Sequence, residues 1–246
     1  MEIKMILDFV CPYCFLGEKI LEQGINTTEI NVNFKFLPYE LAPKTVPQST
    51  VTEATKEYFE KNILTWSKKV NIPINFPTIN PKPRTDLAFQ GLFYAQEENK
   101  ALEYVRAILH AYWIENKNIG SIEIISEIAE DINLSKDKMQ NILENKIFEK
   151  QQEKLNDEVS QFDFEVVPTF YIDEKQLETF PRTVEEWIEI FKTYTGDTSE
   201  YEKVAYCPIC NNKTKKLAAC GSLSYWCDSC NELKSKQSLI YKYEKK

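Results

Sequence analysis

The 246 residues suffice for one large domain, or for a domain with a small module attached, and at 43% hydrophobic and 28% charged they describe a globular chain able to bury a core. No run of about 18 apolar residues is present, which excludes a transmembrane helix, and no repeat or low-complexity tract is found. The net charge of −8 is uneven: residues 201–246 hold nine Lys against four acidic residues, a local +5 that leaves −13 on the rest and marks a separate tail module.

Residues 2–9, "EIKMILDF", predict a buried strand. "CPYCFLGEKILEQGI" at 11–25 predicts a helix with Pro12 in its first turn. "EINVNFKFLPYEL" alternates at Val32, Phe34 and Phe36, the pattern of a second strand. After a loop at 43–50, a mostly helical stretch runs from about 52 to 160. It holds an amphipathic helix at 51–70, an extended Pro-rich run at 71–84, and two helices broken near Glu98–Asn99. A further helix is capped by Ser121, and a long one by Ser135. Strands return in "VVPTFYID" at 166–173 and in "QLETF" at 176–180. "TVEEWIEIFKTYTG" closes the series as a helix, with Gly196 just past its end. The order β-α-β, helical insertion, β-β-α is that of an α/β thioredoxin fold with an inserted helical domain. Residues 1–198 are assigned to it, with the insertion at about 50–160.

Two Cys-Pro-x-Cys tetrapeptides frame the functional question. Met1 leads into "EIKMILDFV" without the basic start and longer apolar run of a secretory signal, so the expected location is the cytoplasm. Thiols there are mostly reduced, and paired cysteines read as redox-catalytic or metal-binding. Cys11 and Cys14 fall at a strand-to-helix junction, where free backbone N–H groups and the helix dipole favour a thiolate. At this spacing they share one helix face, with Cys11 as nucleophile and Cys14 as resolving thiol. A zinc half-site or two inert core cysteines are the alternatives. Val167-Pro168-Thr169 is the kind of step where thioredoxin folds place a cis-proline beside the dithiol, and an extended substrate would pair with the Val167 backbone. An ordinary trans-proline opening an edge strand is the plainer reading.

The ordered set "DFVCPYCFLGEKILE", "FLPYELAP", "ILHAYWIENKNIGSIEIISEIAEDINL" and "VVPTFYID" resembles the DsbA-like thioredoxin-fold oxidoreductases, in particular the cytoplasmic FrnE-like group, over roughly residues 2–195. By position, the resemblance makes Cys11 the nucleophile, Cys14 the resolving cysteine and Pro168 the cis-proline. Pro12, Tyr13 and Val167 then fall at the substrate-binding surface. It implies disulfide exchange on protein or small thiol substrates, without an organic cofactor. Where the family often has an Asn-Thr-x-x-Ala-His run, this chain has "RTDLAF", with Arg84 and Phe89 at its ends. The single histidine, His110, is expected to be packed or solvated. Asp8 is expected as a solvated strand-end carboxylate, or else as a group that tunes a thiol. Trp66, Tyr112 and Trp113 are expected as core aromatics of the insertion.

The second tetrapeptide has partners. Cys207-Pro208-Ile209-Cys210 is followed, after sixteen residues, by Cys227-Asp228-Ser229-Cys230. Two such knuckles supply four thiolates to one tetrahedral, structural Zn²⁺. A module of about 40 residues buries too little surface to fold without a metal. Residues 203–246 are therefore assigned to a small β zinc ribbon: a strand, a Gly221-Ser222 turn, and a strand ending at Trp226. Cys220 is left over as a packed thiol. The ribbon is a candidate surface for a protein partner. A nucleic-acid role rests only on its lysines and ranks last, and no membrane partner is expected.

The sequence thus points to a cytoplasmic thiol–disulfide oxidoreductase with a zinc ribbon. Its rivals are a non-catalytic adaptor or zinc-linked redox sensor, and a glutathione-dependent isomerase or transferase of similar fold. Relatives of the last kind usually carry Ser where Cys11 stands.

Overall fold

β1 (Glu2–Leu7) covers Ile3, Met5, Ile6 and Leu7 fully. Its first half alternates, with Glu2 and Lys4 less covered than Ile3 and Met5, and its second half, Met5-Ile6-Leu7, is the continuous apolar run of a strand buried on both faces. The computed structural model describes residues 1–195, 201–219, 222–235 and 238–245. They form two compact units, Met1–Glu22 with Asn31–Arg182, and Gln23–Ile30 with Thr183–Lys246.

In the first unit, α1 (Pro12–Thr28, which runs on into the second) follows β1 and makes the crossover to β2 (Asn33–Pro38), which pairs with β1 in parallel. β3 (Thr169–Ile172) lies antiparallel on the other side of β1, with Met5 opposite Phe170, and β4 (Lys175–Gln176) closes the edge. The sheet order is β2-β1-β3-β4. Asp173 and Glu174 join β3 to β4, both at positive φ, the backbone of a tight two-residue hairpin turn. β2 keeps part of its expected pattern. The Phe34 and Phe36 rings stack 5.7 Å apart, while Val32 precedes the strand.

Between β2 and β3 lies the helical insertion. The helix expected at 51–70 is present, but interrupted: α2 (Glu53–Tyr58) and α3 (Leu64–Val70) are joined by a π-helical turn at Phe59–Ile63. Residues 72–84 form neither helix nor strand, and they contain a cis Asn80–Pro81 peptide. α4 (Asp86–Glu97) and α5 (Ala101–Trp113) break at the expected place, and α6 spans Ile122–Asp131. The single long helix expected from Ser135 is instead two, α7 (Lys136–Glu144) and α8 (Glu149–Ser160).

One device closes four of these helices. Asn71, Asn99, Asn133 and Lys146 each sit at φ between 52° and 63°. The next residue then donates its N–H five residues back: Ile72 to Ser67, Lys100 to Ala95, Leu134 to Ala129, Ile147 to Ile142. This is the Schellman closure, usually built on glycine, and in a chain with six glycines asparagine stands in for it at three of the four ends and Lys146 at the other.

In the second unit, α9 (Val184–Thr195) buries Trp187, Ile188 and Phe191. It lies close to the end of α1, where a Cβ at Gly24 would fall 2.9 Å from the Trp187 Cβ. The C-terminal module holds two small antiparallel sheets, more than the two strands expected. β5 (Tyr201–Tyr206) pairs with β9 (Ile240–Lys245), and β6 (Lys215–Ala219), β7 (Ser222–Cys227) and β8 (Glu232–Lys234) form the other. Gly196, Cys220 and Gly221 lie outside the described residues.

The two serine caps differ. Ser135 Oγ accepts the Lys138 N–H at 3.2 Å, whereas Ser121 holds the N-cap position of α6 without a side-chain bond. Ser135→Ala is expected to lower the free energy of unfolding by about 1 kcal/mol. Ser121→Ala should change it by only a few tenths, both read from urea denaturation midpoints at unchanged m-value.

Candidate redox site and metal centre

Cys11 is the last residue before α1, and Pro12 opens the helix, where its missing N–H costs nothing. The Cys11 N–H donates to the Asp8 carbonyl at 3.1 Å, and the Cys14 N–H donates to the Cys11 carbonyl at 3.1 Å. Both cysteines are free thiols. Cys14 is fully buried and Cys11 keeps 5% exposure, so Cys11 is the less covered of the two. Its Sγ lies 3.6 Å from the Val167 carbonyl oxygen, and the Val167–Pro168 peptide is cis. Gly17 permits this approach, since a Cβ there would sit 3.2 Å from Pro168 Cγ. Burial, then the neighbouring Cys11 sulfur, push the Cys14 thiol well above its ordinary range.

Asp8 is buried, not solvated as expected. Its carboxylate accepts the Leu41 N–H at 2.7 Å and the Val10 N–H at 3.4 Å. Burial outweighs these bonds and pushes its pKa up to about 6.

Tyr13 anchors an aromatic cluster. Its ring stacks on Trp66 at 5.7 Å and meets the edge of Phe180 at 6.3 Å, and its hydroxyl pairs with that of Tyr58 at 2.8 Å. The Arg182 guanidinium lies 5.0 Å from the Phe180 ring centroid and 5.6 Å from that of Trp66. Burial and the Tyr58 hydroxyl push the Tyr13 phenol up to about 12. Beside it opens a cavity of about 340 Å³ whose wall includes Pro12, Tyr13, Tyr58, Phe76, Lys82 and Trp113. Trp66, Tyr112 and Trp113 are core aromatics, and Tyr112 and Trp113 also floor this cavity. His110 is half exposed and faces Glu115 at 3.5 Å. Arg84 straps the loop after β2, donating to the carbonyls of Ala42, Pro43 and Val46 at 2.7–2.9 Å, and the Phe89 ring lies 4.7 Å from that of Phe9, tilted by 33°.

In the C-terminal module the four expected ligands converge. The sulfurs of Cys207, Cys210, Cys227 and Cys230 lie within 4.8 Å of one another, with Cys207–Cys230 at 3.7 Å and Cys210–Cys227 at 3.4 Å. A tetrahedral Zn²⁺ with Zn–S bonds of about 2.3 Å needs sulfurs about 3.8 Å apart, so the donor set fits zinc. Among the described residues of this module, Ala205, Tyr225 and Leu239 form a small apolar cluster. Burial alone would raise the Cys207 thiol, but the Cys210 and Ile209 N–H groups and the neighbouring sulfurs bring it down to about 6. The Cys210 sulfur and burial push Cys230 up to about 12. Each knuckle ends on an asparagine at positive φ, Asn211 and Asn231, and the Asn212 side chain donates to Ser229 Oγ at 2.6 Å across the pair. The repeated C-x-x-C-N was a readable signal of these turns. The cavity residues Tyr58, Phe76 and Lys82 had none, being brought together from separate loops and helices.

Because the Asp8 pKa is raised on folding, its contribution to stability is present below about pH 4 and lost as pH rises through about 6. Burial raises Glu18 and Glu40 in the same direction, so a comparison isolates Asp8. Asp8→Asn is expected to gain on the wild type between pH 4 and 7 by on the order of 3 kcal/mol, measured by chemical denaturation across that range.

Comparison with known proteins bears on both regions. Residues 2–185 match the DSBA-like thioredoxin domain, and residues 189–242 the double zinc ribbon, although the chain carries cysteines for one four-thiol site. The uncharacterised protein YwbO of Bacillus subtilis (strain 168) is 35% identical over 174 residues, 70% of this chain and 86% of its own. The crystal structure of a probable DsbA oxidoreductase from Streptomyces coelicolor covers 90% of this chain and all of its own, with TM-score 0.67 and 14% identity. The cytosolic disulfide reductase DsbM from Pseudomonas aeruginosa, solved with GSH, covers 80% of this chain and 100% of its own, with TM-score 0.57 and 11% identity. At these identities the two structures speak to fold alone. With three quarters of its length matched, the chain belongs to the DSBA-like thioredoxin domain family.

Proposed function

We propose that the protein is a thiol–disulfide oxidoreductase of the cytoplasm that exchanges disulfides through Cys11 and Cys14. The observation that carries this reading is Cys11, the less covered of the two thiols, held at the head of α1 and 3.6 Å from the Val167 carbonyl, with Cys14 fully buried. In the reductive direction the Cys11 thiolate attacks a substrate disulfide. One sulfur–sulfur bond breaks, a mixed disulfide forms and the first substrate thiolate leaves. Cys14 then gives up its proton and attacks Cys11. The Cys11–Cys14 disulfide forms and the second substrate thiolate departs, so the substrate gains two electrons and the enzyme loses them. Run backwards, the same steps oxidise a substrate dithiol. Burial keeps Cys14 a thiol until it is needed.

In this proposal Pro168 and the Val167 backbone hold an extended stretch of a protein or small thiol substrate, with Pro12 and Tyr13 beneath it. The ribbon at 203–246 holds one structural zinc ion through Cys207, Cys210, Cys227 and Cys230 and offers a surface to a protein partner. Zinc there draws four thiols into thiolates and ties together a module with little core. The thioredoxin domain occupies 1–198. The cytosolic description of DsbM supports a reducing compartment.

A redox titration of the full chain, counting free thiols and bound zinc at each potential, tests the reading. Two thiols should disappear reversibly with the zinc retained, Cys11→Ser should abolish that step, and Cys14→Ser should accumulate the mixed disulfide. Absence of cycling, or loss of zinc in the same step, would sink it. Chelation of the zinc is expected to melt the ribbon strands, seen as lost amide protection at 204–234, while the Cys11–Cys14 step persists.

A further inference from the structure

β8 is inverted against the hydrophobic effect. Leu233 faces out at 60% exposure, while the Lys234 side chain keeps 7%. Among the described residues, Lys234 is the one lysine or arginine that is buried. A slip of β8 by one residue would exchange the two and place leucine inside. The observed register instead sets Lys234 opposite Tyr225 and Glu232 opposite Cys227, so the lysine stands on the sheet face that carries a metal ligand. Tyr225, Cys227 and Lys234 are all covered there. A lysine is almost never buried unless it is paired. One partner is the Glu232 carboxylate, itself half exposed. The others are sulfurs. The Glu232 bond raises the Lys234 pKa and burial lowers it, and the charges at Cys207 and Cys230 then raise it further.

We propose that Lys234 is the counter-cation of the zinc–thiolate centre and keeps its sulfurs out of disulfide exchange. This rests on the reading of Cys207, Cys210, Cys227 and Cys230 as a zinc site. Four thiolates around one Zn²⁺ leave about −2 on the centre. A covered charge left uncompensated is costly, and an ammonium on the same face offsets part of it. Such an outer partner raises metal affinity and lowers the nucleophilicity of the sulfurs. The need follows from the chemistry proposed for the other half of the chain. A ribbon thiolate that attacks a substrate disulfide forms a mixed disulfide, one substrate thiolate leaves, and the zinc loses a ligand. With its charge held down, the centre acts as a clasp rather than a redox sensor. Packing does not account for the inversion, since Leu233 would fill the inner face better. Pairing with Glu232 does not either, because a half-exposed carboxylate can be met at the surface without burying a lysine.

The zinc affinity of the full chain, measured by competition with a chromophoric chelator, tests the proposal. Lys234→Met keeps an apolar stem and removes the charge, and it is expected to weaken zinc binding by about tenfold or more. A packing role predicts no such loss. Glu232→Gln separates the two kinds of partner: it should hold zinc at least as tightly as the wild type, because it frees the ammonium for the sulfurs. Zinc release under excess disulfide reads the charge of the centre directly. In Lys234→Met, release by the dication cystamine should speed up relative to release by the dianion dithiodiglycolate by about fivefold or more at low salt, and the gap should close at high salt. The inference is overturned by unchanged zinc affinity in Lys234→Met, by a loss in Glu232→Gln that matches it, or by an unchanged ratio of the two release rates. Each of those outcomes leaves the zinc site standing. A wild-type chain that binds no zinc overturns the site and the inference together.

Discussion

The arrangement of the thiols depends on how closely α1 can lie against the segment that opens β3. At Gly17 the helix passes so near Pro168 that even a Cβ would need its neighbour to move. That contact sits six residues, under two turns, from Cys11. It fixes the height of the helix start over Val167 and so brings the Cys11 sulfur to 3.6 Å from the Val167 carbonyl. The segment is itself anchored, because β3 continues into antiparallel pairing with β1, Ile6 opposite Thr169 and Met5 opposite Phe170. The thiol and the backbone expected to meet substrate are therefore positioned by the same central strand, one from each direction of the chain.

Burial then separates the two sulfurs chemically. Cys14 is covered by the sheet and helix that fix it, and the cost of a buried charge holds it protonated. Asp8, on the loop between β1 and Cys11, is covered too, and its negative charge adds to the penalty on a Cys14 thiolate. The same desolvation makes Asp8 reluctant to ionise. A carboxyl raised to about 6 changes charge near neutral pH, so the electrostatic setting of the dithiol is itself sensitive to pH in that range.

Much of this was legible, and the limits have physical reasons. The β-α-β start, the strand at 169–172 and the four-cysteine cluster follow from period, from Cys-x-x-Cys spacing and from local turn chemistry. The break at Glu98–Asn99 could be read because asparagine tolerates the left-handed backbone that ends a helix. The break between α7 and α8 could not, because the residue in that conformation is Lys146, which carries no such signal. Asp8 was misjudged because a carboxylate at a strand end is usually wet, and only the fold brings the Leu41 N–H onto it. Arg84 and Phe89, departures from the family's usual run, turn out to strap a loop and fill the core. The cavity was illegible for a different reason. Its wall comes from α1, α2, the π-helical turn, the 76–82 segment and the end of α5, and no sequence period links them.

The two Cys-Pro-x-Cys tetrapeptides show how little of their chemistry is intrinsic. After Cys14 the chain continues as helix because Phe15, Leu16 and Ile20 are all buried, and Cys14 is carried inward with them. After Cys210 it turns instead: Asn211 takes positive φ and returns its N–H to the Cys207 carbonyl at 2.9 Å, so the backbone N–H groups of the knuckle gather on the Cys207 sulfur. One setting holds a thiol protonated and hidden, and the other stabilises a thiolate beside three more sulfurs. A lone pair at a helix start can open and close a disulfide without disturbing the fold around it. Four sulfurs within 4.8 Å of one another, beside the apolar cluster of Ala205, Tyr225 and Leu239, instead make a donor set that suits one cation.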